Sequence, residues 1–177
     1  MLELEISPVL STERLSLRPL KSCDAVRMAL LADDADVGRM TTQMPWPYGV
    51  ADAERFLRRA MLNDARREAV FAIDLPKLGL IGLLGFHPSD LGRAELGYWL
   101  GRPYWGQGFA TEAVRAALAW ARDAWGRRMV IAGHFADNEA SGQVLCKAGF
   151  LYTGEVQRRW SLARTEVVDT RMMVWLA

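Results

Sequence analysis

Histidine, cysteine and net charge are all scarce in this chain. Its 177 residues include two cysteines, Cys23 and Cys146, and two histidines, His87 and His134. Two thiols so far apart suit neither a zinc cage nor a disulfide framework, and two imidazoles are poor material for a metal site, so no metal is expected. The formal net charge is +1, and the arginine pairs (Arg58-Arg59, Arg66-Arg67, Arg127-Arg128, Arg158-Arg159) are scattered rather than gathered into one basic tract. That removes the electrostatic case for a nucleic-acid partner. The opening MLELEISPVL lacks a basic stretch followed by a long apolar one, so no secretory signal is expected. No run approaches the ~20 apolar residues of a membrane span. A cytoplasmic protein without a membrane partner is the expectation.

Hydrophobic residues make up 51% of the chain and charged ones 24%, a balance that builds a substantial core and argues against disorder. The length fits one domain, its core expected over about residues 12–177. RLSLRPL alternates Leu15, Leu17 and Leu20 with polar residues, a strand broken by Pro19. Asp24 stands where it would cap a helix over AVRMALLA. MPWPYG reads as a loop, and from Ala53 the apolar residues Phe56, Leu57, Ala60 and Met61 recur at helical spacing. AVFAIDL (Ala69–Leu75), LIGLLGFH (Leu80–His87) and RAELGYWL (Arg93–Leu100) read as three strands. A long helix is predicted over Phe109–Trp125, a strand over Arg128–Phe135, a short helix from Asn138 to Lys147 ended by Gly149, and two more strands after it. Strands and helices mixed around a central β–α–β–α unit make one α/β or α+β sheet domain.

The segment GRPYWGQGFATEA (Gly101–Ala113) joins the third strand to the long helix. Glycine inside a helix costs about 1 kcal/mol relative to alanine, so Gly106 and Gly108 belong to a turn. A strand, a glycine turn and a helix N-terminus make a generic anion site, because free backbone N–H groups and the positive end of the helix dipole converge there. The plainer reading is a tight turn that lets the helix pack. A dinucleotide fold is a third reading, weakened by Thr111 in place of the third glycine and by the missing acidic residue on the next strand.

Four segments occur in a telling order: TERLSLRPL, AELGYWLG, YWGQGFATEA and DNEASGQVLCKAGF. Together they resemble the GNAT superfamily of acyl-CoA-dependent N-acetyltransferases, and within it the ribosomal-protein (RimJ/RimL-like) branch. The resemblance runs from about Thr12 to the end of the chain. It implies a mixed, mostly antiparallel central sheet flanked by helices and splayed at the acyl-CoA site, with acetyl-CoA as co-substrate. The family turn, Gln/Arg-x-x-Gly-x-Gly/Ala, falls on Trp105, Gly106, Gln107, Gly108, Phe109 and Ala110, and its backbone, through Thr111, is expected to cradle the cofactor pyrophosphate. Trp105 departs from the pattern, since indole replaces neither a cation nor an amide, which leaves the backbone cradle as the expected contact. The preceding strand, at Tyr98, Trp99 and Leu100, is expected to hold the pantetheine arm by edge hydrogen bonds, and a backbone N–H there to polarise the thioester carbonyl. Asn138 serves as a helix N-cap or, by resemblance, as a cofactor contact together with Ser141. Phe150 is expected in the core.

Acetyl transfer requires a neutral amine, a polarised carbonyl and a route for the proton. An α-amine, with a pKa of about 7.7–8.0, needs less help than a lysine amine at about 10.4. Strand alternation puts Glu95, Gly97 and Trp99 on one face, so Glu95 is the candidate general base or an ordinary surface glutamate. His134, on the next strand, is the rival base or a structural histidine. The tyrosine acid that the family often carries falls on Leu145 here, leaving Tyr152 or direct protonation of the thiolate as substitutes. No pattern places a histidine beside Cys146, so it is not a nucleophile. Trp46 and Tyr48 are expected to form an aromatic wall for the acceptor, a protein N-terminal amine or a small-molecule amine, in a monomer or homodimer. A non-catalytic acyl-CoA-binding module is the alternative.

Overall fold

The computed structural model describes residues 8–177; the reading of the first seven residues as free of a secretory signal lies outside them. Eight strands form one sheet in the order β1-β2-β3-β4-β5-β6-β8-β7. They are β1 (Leu10–Ser11), β2 (Ser16–Arg18), β3 (Ala69–Leu75), β4 (Gly79–Pro88), β5 (Ala94–Leu100), β6 (Met129–Phe135), β7 (Leu151–Ser161) and β8 (Glu166–Leu176). Every neighbouring pair is antiparallel except β5 and β6. A parallel pair needs a crossover, and α4 (Phe109–Asp123) supplies it. The mostly antiparallel sheet agrees with the architecture that the sequence implies.

Side chains alternate across the sheet and divide the core in two. Leu96 and Leu100 of β5 and Val130 and Ala132 of β6 pack against the apolar stripe Ala113, Val114, Ala117, Leu118 and Ala121 of α4 and against Leu145 of α5 (Glu139–Lys147). The opposite face carries α1 (Asp24–Ala32) and α3 (Val50–Met61), with Met28, Leu31, Ala53 and Leu57 packed over Ala72, Leu80 and Leu83. Between those helices lies α2 (Ala35–Gly38), a single turn capped by the Asp34 carboxylate, which accepts from the Asp36 amide at 2.8 Å. A two-residue strand and a one-turn helix are too short to leave a periodic signal, and neither β1 nor α2 was legible.

Asp24 corrects one expectation. It is the first residue of α1 rather than its cap, and Cys23 holds the cap position. Its carboxylate faces inward, receiving two bonds from Arg18 at 2.8 and 2.9 Å and one from the Lys21 amide at 2.8 Å. Burial opposes ionisation of Asp24, but the Arg18 and Lys21 bonds outweigh it and hold the carboxyl below its ordinary range. Arg18 also grips Asp74 of β3 at 2.7 Å, so one guanidinium ties α1 to the sheet.

Candidate active site

β5 and β6 pair over only three registers, Ala94↔Val130, Glu95↔Ile131 and Leu96↔Ala132. Beyond Leu96, β5 continues to pair with β4 as far as Leu100, while β6 continues with β8 as far as Phe135. Gly97–Leu100 and Gly133–Phe135 are therefore drawn apart by their other neighbours, and a wedge opens in the sheet. The edge of β5 that faces the wedge carries backbone groups with no ladder partner on β6. On the α5 side of the wedge, Tyr98 spans the gap, its hydroxyl 2.8 Å from the Ser141 hydroxyl and 3.3 Å from the Ser141 carbonyl. Burial pushes the Tyr98 phenol up to about 12, so it stays protonated at neutral pH.

The glycine turn follows directly. A single 3-10 turn (Arg102–Tyr104) leads into Gly106 at φ +71° and Gly108 at φ +81°. Both angles lie in the left-handed region that glycine tolerates best. Among the described residues, a Cβ at Gly106 would meet nothing within 4 Å, and one at Gly108 would meet only the Arg14 Nη2 at 3.4 Å. The turn is thus open on its outer side. The first intrahelical bond of α4 runs from the Glu112 amide to the Gly108 carbonyl at 3.1 Å, which leaves the amides of Phe109, Ala110 and Thr111 free of the helix ladder. Those donors, the helix dipole and the missing side chains make a cradle for a phosphate-sized anion.

The long side chains of the turn brace it. The Trp105 indole N–H donates to the Leu100 carbonyl at 2.8 Å, and the Gln107 amide donates to the Pro103 carbonyl at 3.0 Å. Cationic side chains come from elsewhere. An open cavity of about 630 Å³ beside the turn is lined by Arg14, Gly108, Thr111, Glu112, Arg115 and Lys147, among others. Sequence reasoning missed Arg14, Arg115 and Lys147. Arg115 lies one helical turn beyond Thr111 and was legible by spacing; Arg14, some 98 residues from its partner Glu112, was not.

At the far side of the wedge, Asn138 is the N-cap of α5, accepting from the Ser141 amide at 3.2 Å. Asn138→Ala should cost about 0.5–2 kcal/mol of stability through the lost cap and also weaken coenzyme A binding. Thermal melts and equilibrium binding check this, and a variant that melts earlier yet binds normally would restrict Asn138 to capping. His134 is buried, its Nδ1 2.9 Å from the Phe135 carbonyl and its Nε2 2.9 Å from the Tyr152 hydroxyl. The carbonyl can only accept, so Nδ1 carries a proton and Nε2 is the site that receives the tyrosine O–H in the neutral ring. Gly142 makes room for this pair, since a Cβ there would lie 2.7 Å from the Tyr152 oxygen and 2.9 Å from Nε2. Leu145 is fully buried in the core, as is Phe150.

Glu95 is 5% exposed and lies on the opposite face, bonded to the Arg159 guanidinium that reaches across from β7. Arg159 is held in turn by the Gln157 side-chain oxygen at 2.8 Å. Glu95 is thus not the ordinary surface glutamate of its plainer reading but a buried, paired carboxylate next to the last paired register of β5 and β6. The aromatic wall needs correcting. Tyr48 is 8% exposed and packs with Ala53 and Leu57, its amide fixed to the Asp33 carboxylate at 3.0 Å. Trp46, at 49% exposure, is the ring of that loop left at the surface. Both cysteines are exposed and free. Among the described residues, no cluster of three or more His, Cys, Asp or Glu side chains is placed to hold a metal, and no helix is long and apolar enough to cross a membrane.

A splayed parallel pair with a glycine turn at its mouth is the arrangement that the sequence resemblance implies. Residues 14–151 match the acetyltransferase (GNAT) domain model. The chain belongs to the GNAT acetyltransferase family. It is 30% identical over 175 residues to the uncharacterized N-acetyltransferase YoaA of Bacillus subtilis, covering 93% of this chain and 94% of that protein. Among solved structures, the Microcin C7 self immunity acetyltransferase MccE, in complex with acetyl-CoA and AMP, superposes with a TM-score of 0.83 at 18% identity, over 99% of this chain and 100% of that one. RimL, a ribosomal L7/L12 α-N-protein acetyltransferase in complex with coenzyme A, superposes with a TM-score of 0.81 at 18% identity, over 96% and 98%. This GNAT chain is therefore an acetyltransferase, and RimL is among the solved structures that share its fold.

Proposed function

We propose that this chain, acting as one acetyltransferase unit, moves the acetyl group of acetyl-CoA to a primary amine by direct attack within a ternary complex. The observation that carries the reading is the wedge between β5 and β6, opening onto free helix amides at a turn whose glycines leave its outer side bare. The pantetheine arm runs along Tyr98, Trp99 and Leu100 as an added strand, and the pyrophosphate rests on the backbone from Trp105 to Thr111. Asn138 and Ser141 flank the thioester end from α5. A backbone N–H of the β5 edge donates to the thioester oxygen as charge develops on it.

The amine nitrogen attacks the thioester carbon, the C–S bond breaks, and coenzyme A leaves as thiolate. Glu95 accepts the amine proton through a bridging water, and the thiolate takes up a proton from solvent or from Tyr152. The acceptor lies on the Glu95 face near Trp46. It is a protein α-amine, the class named for the RimL neighbour, or a small-molecule amine. Thiol release from acetyl-CoA, measured with peptides of varied N-terminus and a panel of small amines, tests the proposal. Release that depends on one amine class is expected; coenzyme A binding with no release for any amine overturns the catalytic reading.

A further inference from the structure

The family pattern expects a cationic or amide side chain at position 105, and Trp105 is neither. Arg14 stands beside the same turn. From the connection between β1 and β2, its Nη1 donates to the Gln107 carbonyl at 2.9 Å, its Nε and Nη2 each reach Glu112 Oε2 at 2.7 Å, and its guanidinium carbon lies 4.5 Å above the centre of the Phe109 ring. Its backbone amide donates to Glu112 Oε1 at 2.8 Å, where the Thr12 hydroxyl also donates at 2.6 Å. The guanidinium side chain is 42% exposed and the Glu112 side chain 17%.

Two consequences follow for an arriving diphosphate. Glu112 sits in the first turn of α4, where a carboxylate suits the helix dipole but competes with phosphate for the same positive end. Partial burial works against ionisation of Glu112, yet the bonds from Thr12 and Arg14 outweigh it, so the group is an anion at neutral pH and needs a counter-charge. The second consequence is steric. In a planar trans peptide the C=O and the following N–H point in opposite directions, so fastening the Gln107 carbonyl to Arg14 fixes where the Gly108 N–H points.

We propose that Arg14 is the positioning residue that makes the glycine turn competent for a diphosphate: it neutralises Glu112 and sets the orientation of the Gln107–Gly108 peptide. This rests on the acetyl-CoA reading above, and its test is built to fail separately. Arg14→Gln should raise the Kd for coenzyme A and the KM for acetyl-CoA at least tenfold, with kcat changed less than threefold. S-acetylpantetheine carries the same thioester without phosphates, and its KM should stay within threefold of wild type. Adding Glu112→Gln to Arg14→Gln removes the stranded anion and should recover part of the lost coenzyme A affinity, the remainder marking the Gln107–Gly108 peptide that Arg14 no longer holds. Glu112→Gln alone keeps Arg14 and should bind coenzyme A at least as tightly as wild type, a measurement that does not depend on the folding of the Arg14 variant. Equal loss for both donors, no loss for acetyl-CoA, or a tenfold weakening by Glu112→Gln alone overturns the role of Arg14. Wild-type protein that fails to bind coenzyme A overturns the function proposed above and this inference with it.

Discussion

Glu95→Gln is expected to lower turnover at least tens of fold, towards the ~10²–10⁴ that general-base catalysis typically contributes, while affinity for coenzyme A barely moves. The side chain keeps its shape and loses its basicity. Its position supports the assignment: Glu95 lies on the last paired stretch before the wedge, on the Trp99 face, shut away from bulk solvent. The Arg159 pair sharpens the test. The Arg159 guanidinium holds the carboxylate oxygens in place where the amine proton would be received. An α-amine, with a pKa of about 7.7–8.0, is already partly neutral near pH 8 and is within reach of such a base. Glutamine also strips Arg159 of its charge partner, so Arg159→Gln must be measured beside it. If the ion pair matters only for packing, both variants lose turnover alike. If Glu95 takes the proton, Arg159→Gln retains most of its activity. His134→Gln completes the set: near wild-type turnover in Glu95→Gln with a large loss in His134→Gln would move the role to the histidine. Unaffected turnover in both would leave positioning of an already neutral amine as the source of rate.

What the sequence made legible was periodic or punctuated. The apolar stripe of α4, the alternation of β3 to β6, the Asn138 cap and the glycines of the turn are local patterns, and the structure has each where the residues called for it. Pairings between distant segments left no such trace. Arg14 meets Glu112 across 98 residues, Arg159 meets Glu95 across 64, and Tyr152 meets His134 across 18. All depend on which strands become neighbours and in which register, and hydrophobic period carries no information about charged partners. Tyr48 shows the converse limit. A loop with two prolines and a glycine reads as surface, yet the sheet and α3 close over that ring. Trp105 was legible as a departure from the family turn, but its bond to the Leu100 carbonyl depends on a 3-10 turn that folds the indole back onto the strand end.

Gly108→Val should cost the protein its affinity for coenzyme A, more than tenfold in Kd, while leaving it folded. Two effects act together at this position. A β-branched residue at φ +81° carries a left-handed penalty of about 1–2 kcal/mol, which for a chain of this size lowers Tm by roughly 2–8 °C. The added side chain also stands on the open side of the turn, where a Cβ would lie 3.4 Å from Arg14 Nη2. It would displace that guanidinium from the Gln107 carbonyl and fill the space through which the Phe109, Ala110 and Thr111 amides face a ligand. Strain alone is separated by Gly92→Val. Gly92 has φ +70° with nothing among the described residues within 4 Å of a Cβ, and it lies in the β4–β5 turn, at the opposite end of β5 from the cradle. The two variants should melt at similar temperatures, yet only Gly108→Val should lose coenzyme A. Matched losses of affinity would trace the effect to backbone strain spreading through β5, and a folded Gly108→Val protein that binds coenzyme A like wild type would remove the pyrophosphate from this turn.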